Sequence, residues 1–233
     1  MDHAATTPMD PRVKKSIEPF WSDKFGNPNA IYKEGREARS AVSEARADIA
    51  KVMGARPGEI IFTSGGTESD NLAILGVSDA AKQNFSRFTL PRSAAGSDAT
   101  QNFTSPRLHI ITTKFEHHAV LEPCKFLEKN GFDITYLDVG KDGIVNPKDV
   151  KKSLKPETIL VSIIYANNEI GTIQPIKEIA KVIREFKKID GAKFFALYPP
   201  AKRGGLRRDS KFYFADFPLF HTDACQATGY LEL

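Results

Sequence analysis

Glu59-Ile60-Ile61-Phe62-Thr63-Ser64-Gly65-Gly66-Thr67-Glu68-Ser69-Asp70-Asn71-Leu72 decides how this chain is read. A short β-branched and aromatic run feeds a Ser-Gly-Gly-Thr turn, and a helical pattern opens directly after it. That order sets backbone N–H groups and a helix N-terminus at the mouth of a strand. Donors and helix dipole there both favour a phosphate. The spacing matches neither G-x-G-x-x-G nor G-x-x-x-x-G-K-S/T, which sets aside the dinucleotide and nucleoside-triphosphate fingerprints. Taken alone, a glycine turn with Thr67 as helix cap is the better reading.

Outward from this stretch the chain alternates strand and helix. Upstream, Asp10-Pro11 reads as an N-cap with proline in the first helical position, followed by a stripe of Val13, Ile17, Phe20 and Trp21. Gly26-Asn27-Pro28 closes that helix. A second helix spans Tyr32 to Met53, with Ala38, Ala41, Val42, Ala45, Ile49 and Val52 inward and Gly54 as C-cap. Ile60–Thr63 is expected as a strand and Thr67 to about Ala80 as a helix. Downstream, the expected strands are 108–112, 132–137, 158–164 and 219–222. The expected helices between them are 118–130, ended by Gly131, 146–154 and 175–187. Strands spaced by helices, several continuously apolar, predict a mostly parallel sheet with helices on both faces. Two stretches break the rhythm and read as surface insertions, about 82–107 and 189–218.

Hydrophobic content of 41% and charged content of 27% over 233 residues describe an ordinary globular chain. Lys+Arg 33 against Asp+Glu 29 gives +4, too mild to call for nucleic acid or membrane. The basic cluster Lys202, Arg203, Arg207, Arg208 and Lys211 therefore reads as a solvated insertion over an apolar anchor. No apolar run approaches a membrane span. Two cysteines, Cys124 and Cys225, make no disulfide framework, and a cytoplasmic location fits best.

Three further motifs close expected strands: Lys114-Phe115-Glu116-His117-His118, Tyr165-Ala166-Asn167-Asn168-Glu169-Ile170-Gly171, and His221-Thr222-Asp223-Ala224-Cys225-Gln226-Ala227. Singly, His117 and Asp223 read as helix caps and the asparagines as turn formers. At successive strand ends they supply phosphate donors, a flat imidazole, amides and a carboxylate. That set suits pyridoxal phosphate, whose ring nitrogen needs a buried carboxylate partner and whose phosphate wants a helix N-terminus.

With these motifs the chain resembles the N-terminal part of a cysteine desulfurase of the iron–sulfur-assembly type, in the class V aminotransferase family. The matching segments are Asp2-His3-Ala4-Ala5-Thr6-Thr7-Pro8, Gly26-Asn27-Pro28, Thr63 to Asn71, Glu116-His117, Asn167 to Gly171 and His221 to Ala227. Asn167-Asn168-Glu169-Ile170-Gly171 discriminates best against other class V aminotransferases and lyases. The resemblance implies a fold type I, PLP-dependent transferase large domain, truncated at the C-terminus. Residues 1–25 would form an N-terminal segment and helix, and 26–233 an incomplete PLP-binding domain without the C-terminal small domain. Gly66 and Thr67 would bind the phosphate, His117 would stack on the ring and move protons, and Asp223 would pair with the pyridinium nitrogen. Gln226 would hydrogen-bond the ring's phenolic oxygen, and Asn168 would approach that oxygen or the substrate carboxylate.

The family reaction takes L-cysteine to L-alanine with the sulfur passed to an enzyme persulfide. Its partners are a sulfur acceptor or iron–sulfur scaffold protein and a second copy of the full-length chain. The family's Schiff-base lysine lies in a Ser-x-His-Lys segment beyond the Asp-x-x-Gln motif, and its nucleophilic cysteine lies further on. Neither is present in this sequence. Lys114 reads as solvated, Cys124 as a packing residue, and Cys225 as a neighbour of the cofactor rather than the nucleophile. The expectation is a desulfurase fragment inactive alone; the alternatives are another class V aminotransferase or lyase, or a non-catalytic remnant of the fold.

Overall fold

The computed structural model describes residue 3 and residues 7–89, 107–197 and 217–227. The chain divides into two units, Met1–Thr63 with Leu231–Leu233, and Ser64–Tyr230.

In the first unit Asp10 caps α1 (Pro11–Ile17), accepting from the Arg12 N–H at 2.7 Å. The expected single helix is broken in two. Pro19 has no N–H to continue the ladder and opens a separate turn, α2 (Pro19–Ser22). α3 (Lys33–Val52) matches its expected span, with Gly54 just beyond its end at φ +62°. Its apolar stripe, however, is not inward. Val42, Ile49 and Val52 are exposed, Val52 at 78%, and only Gly35 and Ala50 of the helix are buried. Part of the stripe lines an open groove of 580 Å³ with Phe20, Phe25 and Phe62.

Ile60–Thr63, expected as a strand, is not one. Among the described residues it belongs to no strand ladder, and Ile61 is 68% exposed. A side chain holds it instead: the Arg46 guanidinium donates to the Ile60 carbonyl and stands 4.6 Å from the Phe62 ring centre.

The second unit runs α4 (Gly66–Thr89), β1 (His109–Thr113), α5 (His118–Lys129), β2 (Asp133–Leu137), α6 (Pro147–Ser153), β3 (Thr158–Ser162), α7 (Ile176–Leu197) and β4 (Leu219–His221). The strands form one parallel sheet in the order β2-β1-β3-β4. Every residue of β1 and β3 is buried, and their apolar and hydroxyl side chains, with His109 opening β1, suit central parallel strands covered on both faces. Alternation along the strands divides the core in two. Ile110 and Leu160 face Ile74, Phe85, Val120 and Leu127 of α4 and α5. Ile111 and Val161 face Val150, Ile179 and Ile183 of α6 and α7. Each such side chain, fully buried, contributes about 1.5–3 kcal/mol.

Two helices outrun their expected spans. α4 continues through Lys82 to Thr89 because Phe85 reaches the core, and α7 continues to Leu197. The rest of the two expected insertions, 90–106 and 198–216, lies outside the described residues. The strand order also locates the ligand end. From β1 the chain steps outward to β2, then returns across β1 to β3. In open sheets of this kind ligands bind beyond the carboxyl ends of the strands flanking such a reversal.

Candidate active site

The Ser64-Gly65-Gly66-Thr67 turn, expected to hold a phosphate, stands at the start of α4. Glu68 reaches back to accept from the Ser64 N–H at 2.7 Å and from the Ser64 hydroxyl, which fixes the approach of the turn. The first N–H groups of the helix have no acceptor within it and point outward with the dipole. Gly66 has no room for a side chain: a Cβ built there lies 2.5 Å from the Cys225 sulfur. That contact brings the turn against the segment after β4, and Asp223 stands two residues before Cys225. Asp223 is 8% exposed and accepts from the Cys225 N–H at 3.0 Å, while its carbonyl accepts from the Tyr165 N–H beyond β3.

A second tie reaches His117. The Asn71 amide donates to the Thr67 carbonyl at 2.8 Å and to the Ala119 carbonyl at 3.3 Å, linking the first turns of α4 and α5. His117 caps α5 through Nδ1, which accepts from the Ala119 N–H at 3.1 Å. The capping role and a ring-stacking role are compatible, since the imidazole is exposed.

Asn167 is the turn former of its pair. Its Oδ1 accepts from the Glu169 and Ile170 N–H groups, and its Nδ2 donates to the Phe115 carbonyl at 3.1 Å. Asn168 follows it half-buried, and Gln226 lies half-buried in the turn Cys225–Ala227. Gly66 is thus tied to Asp223 through Cys225, and Thr67 to His117 through Asn71 and Ala119. Asn168 and Gln226 are placed only by the loops that carry them.

The other candidates are inert. Lys114 is solvated and paired with Asp138 at 2.7 Å. Cys124 is wholly buried, and burial pushes its thiol up to about 12. Partial burial and then the Asp223 carboxylate push the Cys225 thiol up to about 12 as well, so it is not a thiolate near neutral pH.

Sequence reading missed a buried polar set around Asp223. Asp70, on the second turn of α4, is buried and stands 3.4 Å from His221 Nε2, while His221 Nδ1 lies 2.9 Å from the Ser162 hydroxyl. With the proton on Nε2, Asp70 accepts from the ring and Ser162 donates to it. Glu116 is 5% exposed; its Oε1 accepts from the Thr113 hydroxyl at 2.6 Å and the Ile164 N–H at 3.0 Å. Its Oε2 is buried without a hydrogen-bond partner among the described residues. The only signal in the sequence was acidic residues beside strand ends, too common to single out.

The residues fit pyridoxal phosphate on two counts. The N-terminus of α4 at Gly66 packs against the Cys225 loop that carries Asp223, and Asp223 is a buried acid beside a second acid whose outer oxygen has no hydrogen-bond partner among the described residues. When bound, that cofactor supplies an electron sink for amino-acid chemistry.

Comparison with known proteins gives the family and the fold. The model of the family "Aminotransferase class-V" matches residues 1–87 and 93–194. A cysteine desulfurase IscS of Dictyoglomus turgidum is 52% identical over 186 residues, 80% of this chain and 42% of its own. A solved NifS-like protein superposes with a TM-score of 0.68 at 36% identity, over 80% of this chain and 45% of its own. The structure described as SspA in complex with cysteine gives 0.66 at 38% identity, over 79% and 47%. The chain spans about half the length of the curated relatives it matches. Fold, motif order and the family-model match meet in one conclusion: this chain belongs to the class-V aminotransferase family, whose cofactor is pyridoxal 5'-phosphate.

Proposed function

We propose that this chain forms the N-terminal part of the cofactor-binding domain of a cysteine desulfurase. The protein takes L-cysteine to L-alanine and passes the sulfur to an enzyme persulfide for iron–sulfur cluster or thio-cofactor synthesis. The observation that carries the reading is the approach of Gly66 to Cys225, which sets the phosphate turn against the loop of the buried Asp223. In that frame Gly66 and Thr67 hold the phosphate, and His117 presents its ring face and moves a proton. Asp223 keeps the ring nitrogen protonated by charge attraction. Gln226 and Asn168 supply amides to the phenolic oxygen and the substrate carboxylate.

L-Cysteine as substrate is supported by the kinship with SspA, whose solved structure contains cysteine. A sulfur-acceptor or scaffold protein, a homodimer of the full-length form and a cytoplasmic setting complete the proposal. No helix among the described residues is long and apolar enough to cross a membrane.

The 233 residues contain no Ser-x-His-Lys segment, and neither cysteine is an activated thiolate. The chain alone is therefore expected to bind pyridoxal phosphate weakly and to give no sustained alanine or sulfide from L-cysteine. Titration of the cofactor into purified chain, followed by absorbance, tests the cradle. Asp223→Ala is expected to weaken binding at least tenfold, about 1.4 kcal/mol. Equal binding by Asp223→Ala would refute the assignment, and steady turnover by the chain would refute its incompleteness.

A further inference from the structure

Glu116 occupies the reversal point of the sheet. It follows β1, and its Oε1 accepts from Thr113 at the end of β1 and from the N–H of Ile164 just beyond β3. One carboxyl oxygen thus fastens the two strands flanking the ligand crevice, and it immediately precedes His117. The second oxygen, Oε2, is buried with no partner among the described residues. A buried carboxylate in that state would have only the two hydrogen bonds to Oε1 to offset the loss of hydration at Oε2, and burying a charge so sparsely paired is costly.

The surroundings sharpen the problem. Asp70 faces it from α4, Asp223 from the segment after β4, and Cys124 from α5. The one basic group in the set, His221, is committed to Asp70 and Ser162. Among the described residues no three His, Cys, Asp or Glu side chains are placed to hold a metal ion. Three buried carboxyls therefore share a site, and among the described residues no ion pair places a cation on Glu116 or Asp223.

We propose that Glu116 is a positioning residue that carries a proton on Oε2 until a cationic ring nitrogen lies against Asp223, and then releases it. The inference rests on the cofactor reading above and adds a proton count to it. Burial first, opposed by the two hydrogen bonds to Oε1, then the negative charges of Asp223 and Asp70, push the Glu116 carboxyl up to about 7. A positive charge at Asp223 cancels part of that repulsion. The O–H bond at Oε2 then breaks, its electron pair stays on the carboxylate, and the proton leaves to solvent. Glu116 so compensates the single positive charge that the ring nitrogen brings to Asp223, while Oε1 holds the loop that carries His117.

The test measures protons. Pyridoxal phosphate is added at saturation to the full chain and to Glu116→Gln in weak buffer with an indicator dye, and bound cofactor is followed by absorbance. Glutamine keeps the acceptor oxygen for Thr113 and Ile164, and circular dichroism checks the fold. The native chain is expected to release about half a proton more per cofactor at pH 7 than Glu116→Gln, with the difference fading near pH 5 and pH 8.5. Asp70→Asn, which removes one neighbouring charge, should shrink that difference. Equal release by native chain and Glu116→Gln overturns the proposal. Binding by neither protein overturns the cofactor reading and the coupling together. Infrared spectra without cofactor judge Glu116 separately: a protonated-carboxyl band at pH 6 must vanish in Glu116→Gln, and a band that persists unchanged overturns the protonated state.

Discussion

At Gly66 the demand for glycine comes from a neighbour rather than from backbone conformation. The Cys225 sulfur fills the space a Cβ would take, 2.5 Å from where that atom would sit. Gly66→Ala is expected to cost about 1–3 kcal/mol through overpacking, and Cys225→Ala in the same chain to recover most of it. Urea unfolding of the two single variants and the double variant checks the pairing. His109 makes a different prediction. Its ring, wholly buried between the Thr158 and Thr135 hydroxyls at 2.8 Å each, is pushed by burial from its ordinary 6.5 to about 4. The folded state binds fewer protons there than the unfolded state. The stabilisation is complete above pH 6.5 and lost as pH falls toward 4, by up to about 3 kcal/mol. His109→Gln should flatten that acid slope in a series of unfolding midpoints. Glu116 has the opposite sign: raised from 4.5 to about 7, it favours the fold below pH 4.5 and loses that contribution as pH rises through 7. Above pH 7, Glu116→Gln should therefore unfold at higher denaturant than the native chain.

Among the elements, α3 and α4 look alike as sequences and differ in what they bury. Ile74→Ala on α4 removes a side chain from the closed core and should cost about 2–5 kcal/mol. Val52→Ala on α3, exposed at 78%, should stay within about 0.5 kcal/mol. Thermal unfolding of both variants separates the two expectations. The apolar period in α3 was legible, but a period states which face is apolar and not whether anything covers it. Ile60–Thr63 failed as a strand for a related reason. Its residues suit a strand, yet a strand exists only through a neighbour's N–H and C=O groups, and among the described residues it belongs to no strand ladder. β1 and β3 were legible because both faces of each are covered, so continuous apolar runs could mean only one thing. The end of α4 was misread because Lys82, Asn84 and Ser86 weaken a helical pattern without breaking it while Phe85 anchors the extension, and the end of α7 because Asp190-Gly191 weakens the pattern without ending the helix.

At the scale of the whole molecule, the candidate site was legible as motif order. Gly66, Thr67, His117 and Asp223 were named from motifs at expected strand ends, and the fold links the start of α4 to the start of α5 and to the segment after β4, although the strand expected before Gly66 is absent. Glu116, Asp70 and His221 were not, because burial and a missing partner are properties of space and leave no trace in spacing. The two units also differ in interior. Residues 64–197 close two apolar cores around a sheet, whereas the described helices of residues 7–63 bury only Gly35 and Ala50. Limited proteolysis is expected to cut first between residues 7 and 63 and to leave a resistant piece that begins near Ser64, read by mass spectrometry. Calorimetry should carry the same imprint. A segment whose aromatic rings are already wetted has little hydration left to gain on melting, so the heat-capacity step of this chain should match a polypeptide noticeably shorter than its 233 residues.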